Sequence, residues 1–367
     1  MSKDTVYHVA LELVSGIGHR GIRQLIGYCG SAQQVFETPK SKLLKIPGFG
    51  EKLATTIKST NSIKEAERVI EDAQHIGAEI LHYGSPGYPQ LLKQIPDAPN
   101  LLFKKGQGDL SPTRSIAIVG TRKATTYGRQ VTEQIIESIS KLNVTVISGL
   151  AFGIDIHAHK ECLKNNVPTL AILAGGLDRI YPSEHRKYTE KMLENGAILT
   201  ESFPGTKPDR HLFPLRNRII AGMADATIVV EAGEKGGALI TAHLADSYHR
   251  TVFAVPGNIR NTYSIGCNHL ISQQKALIYS KVDDLIYHLG WDLDPHDNTE
   301  NVLPDLSDDE IKIYDLLNKQ GSALEIDLIA IQSGISINKV ASILLSLEFK
   351  NLVKSMPGKK FGLAEYR

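Results

Sequence analysis

The sequence predicts a doubly wound α/β sheet with a small helical module on either side. Three observations predict it. From Ser115 to Leu289, short β-rich runs alternate with helical patterns, while residues 1–66 are helical and glycine-punctuated. After an acidic, proline-containing stretch at 290–306, three helical patterns and a hairpin complete the chain. The 367 residues fit two or three domains at roughly 100–200 residues each. The expected boundaries are 1–66, 67–110, 111–289, 290–306 and 307–367.

Composition narrows the class. With 42% hydrophobic and 22% charged residues, the chain reads as globular. A net charge of +1 gives no global positive field, so any polyanion site must be local. Cys29, Cys162 and Cys267 are scattered and form no CxxC pair. That fits a reducing compartment and argues against a disulfide framework or a structural zinc site. No apolar run approaches a membrane span, and MSKDTVYHVA lacks the apolar stretch of a signal peptide. The expectation is a cytoplasmic protein with no membrane association.

In residues 1–66, LVSGIGHRGIRQLI and LLKIPGFGEKLATTI share an apolar run, a Gly-x-Gly turn and an amphipathic run opened by a cation. This is the helix-hairpin-helix pattern. Its glycines permit a tight turn, and its amides and following helix N-terminus can receive a phosphate. Nine Lys/Arg against five Asp/Glu make the segment mildly basic. A packing module with glycine turns explains the pattern equally well. Residues 67–110 carry a strand at Glu79–Tyr83, many prolines and a short helix, and are expected to lean on the next domain.

The predicted strands of the central domain are SIAIVG (115–120), VTVIS (144–148), TLAILA (169–174), AILTE (197–201), TIVVE (227–231), TVFAV (251–255) and ALIYS (276–280). They are apolar along most of their length, as parallel strands covered on both faces should be. With helices between them, they describe an extended Rossmann-like, mostly parallel sheet. Residues 290–306 read as a linker. SDDEIKIYDLLNKQ then opens a helix with a serine cap and acids in the first turn. Two further helices and a hairpin at Pro357-Gly358 complete a winged-helix-like pattern. Eight Lys/Arg against nine Asp/Glu from Asp305 to Arg367 make this module a poor phosphate binder.

In open α/β sheets, ligands bind beyond the carboxyl ends of the strands, at the switch in strand order. Here those ends carry Gly120-Thr121-Arg122, then Gly149 and Gly153, then Gly175 and Gly176, then Arg210 and LFPLRNR with Arg216, Asn217 and Arg218. The fifth end leads to Lys235-Gly236-Gly237 and Thr241, and the sixth to Pro256-Gly257. Glycines let backbone approach a phosphate, helix N-termini add partial positive charge, and Arg122 can grip a phosphate as a fork. A tight β-to-α turn alone would explain any single site. Their recurrence at one end of the sheet points to a polyanion groove.

No acid–base machinery stands out. There is no G-x-S-x-G elbow, GFGEK lacks Walker A spacing, and GTRKATTYG is not a dinucleotide fingerprint. Asp155, His157 and His159 invite a metal reading, but the two histidines, two apart on a helix, point in different directions. Asp155 fits better as a residue that caps or orients the loop. No metal or cofactor is expected.

AIVGTRKATTYG, VISGLAFGIDIHAH, LAGGLDRIYPSEHRKY, GAILTESFPGTKP, FPLRNRIIAGMAD, VVEAGEKGGALITAHLA and FAVPGNI, in this order, closely resemble the DNA-processing protein A family (DprA, also called Smf). They cover about half the chain. One departure is Lys235-Gly236-Gly237-Ala238, where the family often has a serine-bearing loop. Phosphate contact there must therefore use backbone amides, Lys235 and Thr241. The resemblance implies a non-catalytic, homodimeric binder of single-stranded DNA. It implies delivery of incoming strands to RecA in natural transformation, displacing or working beside single-strand-binding protein.

On this reading Arg122, Arg216 and Arg218 straddle a sugar-phosphate backbone, Asn217 bonds a phosphate or base edge, and Phe203, Phe213 or Tyr181 offers a stacking face. The competing reading is that one arginine pairs internally with Glu201, Asp225 or Glu231. Two rival functions stand beside it. One is a LOG-type nucleotide phosphoribohydrolase, although Glu234 lies only nearby and the helix after the glycine loop reads ALITAHLA with no acid. The other is a RecA adaptor whose DNA binding is incidental.

Overall fold

The computed structural model describes residues 3–59, 61–291, 306–320, 324–350, 352–356 and 358–363. They fall in two compact units, residues 1–291 and 292–367.

The first unit is built on a nine-stranded sheet. Its strands are β1 (Glu79–His82), β2 (Leu101–Gly106), β3 (Arg114–Val119), β4 (Val144–Ser148), β5 (Thr169–Ile172), β6 (Ala197–Thr200), β7 (Ala226–Val229), β8 (Thr251–Ala254) and β9 (Leu277–Ile278). The order is β1-β2-β6-β5-β4-β3-β7-β8-β9. Strands β3 to β9 pair in parallel, while β1–β2 and β2–β6 are antiparallel.

Every predicted strand is present. β2 was not predicted, and it changes the role of residues 67–110. This segment does not merely lean on the sheet; it adds the two antiparallel strands at one edge. Alternation along β3 divides the core: Ile116 and Ile118 pack under the helices Thr126–Ile139 and Ile154–Lys164, while Ala117 and Val119 face the helix Leu212–Gly222.

The chain builds outward from β3 through β4 and β5 to β6. It then returns along Leu212–Gly222 and starts again at β7, beside β3. The switch point is therefore the crevice between the carboxyl ends of β3 and β7.

Among the described residues six helices precede β1, from Lys3–Glu12 to Ser62–His75. The last runs through position 66, so the helical module extends past the expected boundary. Both glycine-turn hairpins form, with positive φ at Gly16 and Gly48. The module docks on the sheet domain: Arg23 donates to the carbonyls of Ala98 at 2.5 Å and Pro96 at 2.6 Å.

The second unit has helices Asp308–Gln320, Ile326–Ser333 and Ile337–Phe349 and a three-stranded sheet, the winged-helix arrangement. Ser307 and Glu310 cap its first helix reciprocally. The predicted linker at 290–306 lies, apart from its ends, outside the described residues, as does Pro357 of the predicted hairpin tip. Among the described residues no single helix is long and apolar enough to cross a membrane.

Candidate nucleic-acid interface

A cleft of about 690 Å³ opens at the switch point. Of the predicted site residues, all but Gly149, Gly153 and Arg218 line it. The loop after β3 supplies Gly120, Thr121 and Arg122, and the loop after β7 supplies Lys235, Gly236 and Gly237. Arg210, Arg216 and Asn217 enter on or just before the returning helix, and Thr241 closes the far wall.

The rim is cationic. Arg122, Arg210 and Lys235 are exposed, and among the described residues none makes an ion pair. Arg122 lies over the Phe213 ring, 5.3 Å from its centroid, and Phe213 meets Tyr181 edge-on at 5.9 Å. Tyr181 is 52% exposed. Of the three predicted stacking rings, these two line the cleft, whereas Phe203 turns away to pack edge-on against Phe103 of β2.

The wall carries a bare helix start. Helix Gly237–Ser247 begins at Gly236 with no side-chain cap. Its first amides point toward the cleft, the arrangement that receives anions. Asn217 Nδ2 and Thr241 Oγ1 both donate to the Gly237 carbonyl, at 3.2 and 3.3 Å. These two buried side chains hold the glycine loop in place from behind.

The floor carries two buried ionisable side chains, Arg216 and Asp155. Arg216 is 4% exposed and donates through Nη1 to the Ile172 carbonyl at 2.6 Å. Burial pulls its pKa down to about 10, against the favourable field of Asp155. Asp155 is pushed up by burial and held down by Arg216 and by the backbone amides of Ala151, Gly120 and Gly149. Asp155 lies in the first turn of the helix Ile154–Lys164, whose N-cap is Gly153 with no side-chain cap, so it fits the orienting rather than the capping reading. His157 instead bonds Glu133 at 3.1 Å and His159 bonds Thr169 at 2.8 Å, so these three side chains do not converge.

Gly149 and Gly153 act behind the lining. A Cβ on Gly149 would strike the Arg216 guanidinium. Gly153 has φ +80°, and a Cβ there would strike the Thr121 carbonyl and the Arg122 backbone. Both residues let the floor and the Thr121–Arg122 loop close up.

Arg218 is placed differently from the expectation. The helix begins at Leu212, so both arginines sit beyond its first turn and both are buried. Two residues apart on a helix is a rotation of about 200°, so Arg216 and Arg218 face opposite ways and cannot straddle one backbone. Arg218 donates to Glu201 and to the Asp97 carbonyl. Of the alternative partners, Asp225 instead accepts from Ser115, and Glu231 accepts from Thr125.

His19 of the helical module joins the same network, 3.1 Å from Glu12 and 3.2 Å from Glu201. Burial pulls its pKa down, but the hydrogen bonds to Glu12 and Glu201 more than offset this and hold it at about 9. Sequence reasoning missed this network. Its members lie far apart in the chain, and no local pattern announces them.

In the winged-helix unit some of the described cations are paired. Lys339 bonds Asp309, and Lys350 bonds Glu310 at 2.9 Å. Bonds from Ser346, Lys350 and Ser307 pull the Glu310 carboxyl down to about 2.

Comparison with known proteins adds the lineage. Residues 79–290 match the model of the DNA recombination-mediator protein A family, and residues 298–359 match the DprA winged helix domain. Protein Smf of Synechocystis is 31% identical, with 98% of this chain and 99% of that protein covered. DNA processing protein DprA of Bacillus subtilis is 41% identical over 59% of this chain and 73% of its own length. Among solved structures, DNA processing protein A of Streptococcus pneumoniae superposes with a TM-score of 0.64 at 32% identity. That match covers 78% of this chain and 98% of the other. The Helicobacter pylori protein, whose structure concerns its single-stranded DNA binding mode, gives 0.53 at 28% identity over 59% of this chain and 97% of its own.

Proposed function

The chain belongs to the DNA recombination-mediator protein A family, and from that premise we propose that its switch-point cleft holds single-stranded DNA by the sugar-phosphate backbone. In this reading the protein shelters the incoming strand and loads RecA onto it during natural transformation and recombination. It works beside single-strand-binding protein, as a homodimer and without catalytic turnover.

One observation carries the reading: three exposed, unpaired cations ring an uncapped helix start, with two aromatic rings beside them. Arg122, Arg210 and Lys235 meet phosphates through charge. The amides of Gly237 and Ala238 receive one more oxygen. Tyr181 and Phe213 give bases a sequence-tolerant stacking surface, worth roughly 1–3 kcal/mol per base. Arg216, Asn217, Thr241, Gly149 and Gly153 shape the cleft from beneath, and Arg218 holds the helical module. A phosphoribohydrolase would need an acid at the glycine loop. Glu234 is exposed and does not line the cleft.

The test is fluorescence anisotropy of labelled oligo-dT across a salt series, with wild type and an Arg122→Ala/Arg210→Ala/Lys235→Ala variant. Each single-strand phosphate contact releases about 0.7 of a counterion. Losing three should flatten the log–log slope by about 2 and weaken binding roughly fifty-fold at 0.15 M salt. An unchanged slope in a folded variant would move the strand elsewhere. Release of free base from AMP would then favour the hydrolase.

A further inference from the structure

The helix Ile154–Lys164 starts at the cleft, where Asp155 lines the floor, and runs back along the face of the sheet away from the helix Leu212–Gly222. Its far half forms one wall of a second groove, about 480 Å³ in volume, and the helix Arg186–Met192 forms the other. Lys160 and Lys164 come from the first wall, Tyr188 and Lys191 from the second, and Asn166 and Asn195 add two amides. Lys187 joins them through Tyr188. The ammonium groups of Lys160 and Lys187 lie 4.8 and 5.1 Å from the centre of that ring.

The cations of this groove lack partners. Lys160 and Lys164 stand one turn apart, as do Lys187 and Lys191, and like charges at this spacing repel. Among the described residues Lys164 alone has a carboxylate, Glu161 at 3.1 Å, while Lys160, Lys187 and Lys191 make no ion pair. Glu194, the one acid in the lining, lies beyond ion-pair distance of all four. Glu190 faces the opposite side of its helix, with Arg186. Burial raises the Tyr188 phenol, but the hydrogen bonds from Lys160 and Lys187 more than offset this and hold it below its ordinary value. An ammonium carries three donors, so after bonding a neutral phenol each keeps two for an outside acceptor.

The ground between the cleft and this groove is aromatic. Tyr181 is exposed on the cleft rim. The short turn Ser183–His185 leads from it into the helix Arg186–Met192. His185 meets the exposed Phe152 edge-on at 5.0 Å. Exposed rings followed by unpaired cations suit a single strand, with bases on the rings and phosphates on the charges. An acidic peptide would use the charges and leave the rings without a role.

We propose that single-stranded DNA leaving the switch-point cleft continues past Tyr181 and Phe152 into this groove, where Lys160, Lys187 and Lys191 hold its phosphates. The inference rests on the cleft reading above and lengthens the site which that reading describes.

The test is anisotropy with two labelled oligo-dT probes, one of about 6 nucleotides that fills the cleft alone and one of about 20 that reaches the groove. Lys160→Ala/Lys187→Ala/Lys191→Ala should weaken the longer probe about fifty-fold at 0.15 M salt and flatten its log–log salt slope by about 2. The shorter probe should bind as it does to wild type. Unchanged binding of the longer probe would overturn the proposal, and so would an equal loss for both lengths. Normal DNA binding with lost affinity for a poly-glutamate peptide would assign the groove to an acidic partner instead. The Arg122→Ala/Arg210→Ala/Lys235→Ala variant separates the two readings, since it should weaken both probes. If it weakens neither, the cleft reading fails and the continuous path with it. Loss at the cleft without loss at the groove sinks the extension alone. Should the triple groove variant fail to fold, Lys187→Ala/Lys191→Ala, altered at exposed side chains, decides with an expected slope change of about 1.4.

Discussion

At the cleft, Arg122, Arg210 and Lys235 stand exposed with no ion pair to any described residue, whereas in the winged-helix unit Lys339 is held by Asp309 and Lys350 by Glu310. The first region is where DNA contact is proposed, and the second is expected from its charge count to bind phosphate poorly. The difference lies in what each cation already touches. A lysine satisfied by a carboxylate must break that contact before it can release a counterion from DNA. An unpaired arginine beside an open helix start has no ion pair to break. Tracing the partner of each cation adds to what the charge count shows.

Arg218 sharpens the comparison most, because it is a paired cation inside the central domain. Arg218→Met leaves Glu201 with only His19 and frees the Asp97 carbonyl. Breaking a buried pair from one side costs roughly 3–5 kcal/mol, read by urea unfolding. Oligo-dT affinity should stay within about twofold if pairing, rather than location, decides function. A large loss of affinity with normal stability would break the comparison.

His19 gives the next largest effect. Its folded pKa of about 9 lies above the ordinary unfolded value near 6.5. A raised pKa stabilises fully below the unfolded value, and that stability is lost as pH rises through the folded one. Unfolding free energy should fall by at most about 3 kcal/mol between pH 6.5 and 9.5. His19→Gln should flatten this slope. An unchanged slope in that variant would place the titration elsewhere.

The smallest effect is the converse experiment in the winged-helix unit. Asp309→Asn/Glu310→Gln removes the partners of Lys339 and Lys350. Each released cation is worth about fivefold in duplex affinity at 0.15 M salt, measurable by electrophoretic shift. No gain in a folded variant would mean that this surface lacks more than available charge.

Much of this was legible in advance. The parallel strands announced themselves because both faces are buried and their runs are almost wholly apolar. The cleft followed from the rule for strand ends. β2 was hidden by its own composition: Leu101, Leu102 and Phe103 are buried, but Lys104, Lys105 and Gly106 follow, and Pro96 and Pro99 stand just before. Arg216 and Arg218 look like one motif in the sequence, yet helical rotation sends them to opposite sides. The same period argument that separated His157 from His159 applied to them. What no period reveals is the partner, since Glu201, Asp97 and His19 reach Arg218 only through the tertiary fold.

Helix Leu212–Gly222 is therefore a party wall, with the cleft on one side and the helical module on the other. Such a wall constrains length more than composition. One inserted residue between Arg216 and Arg218 would turn everything beyond it by about 100°, detaching one room or the other. An insertion of three or four residues comes close to a full turn and restores the facing. Related chains should thus keep the spacing from Arg216 to the start of β7 nearly fixed.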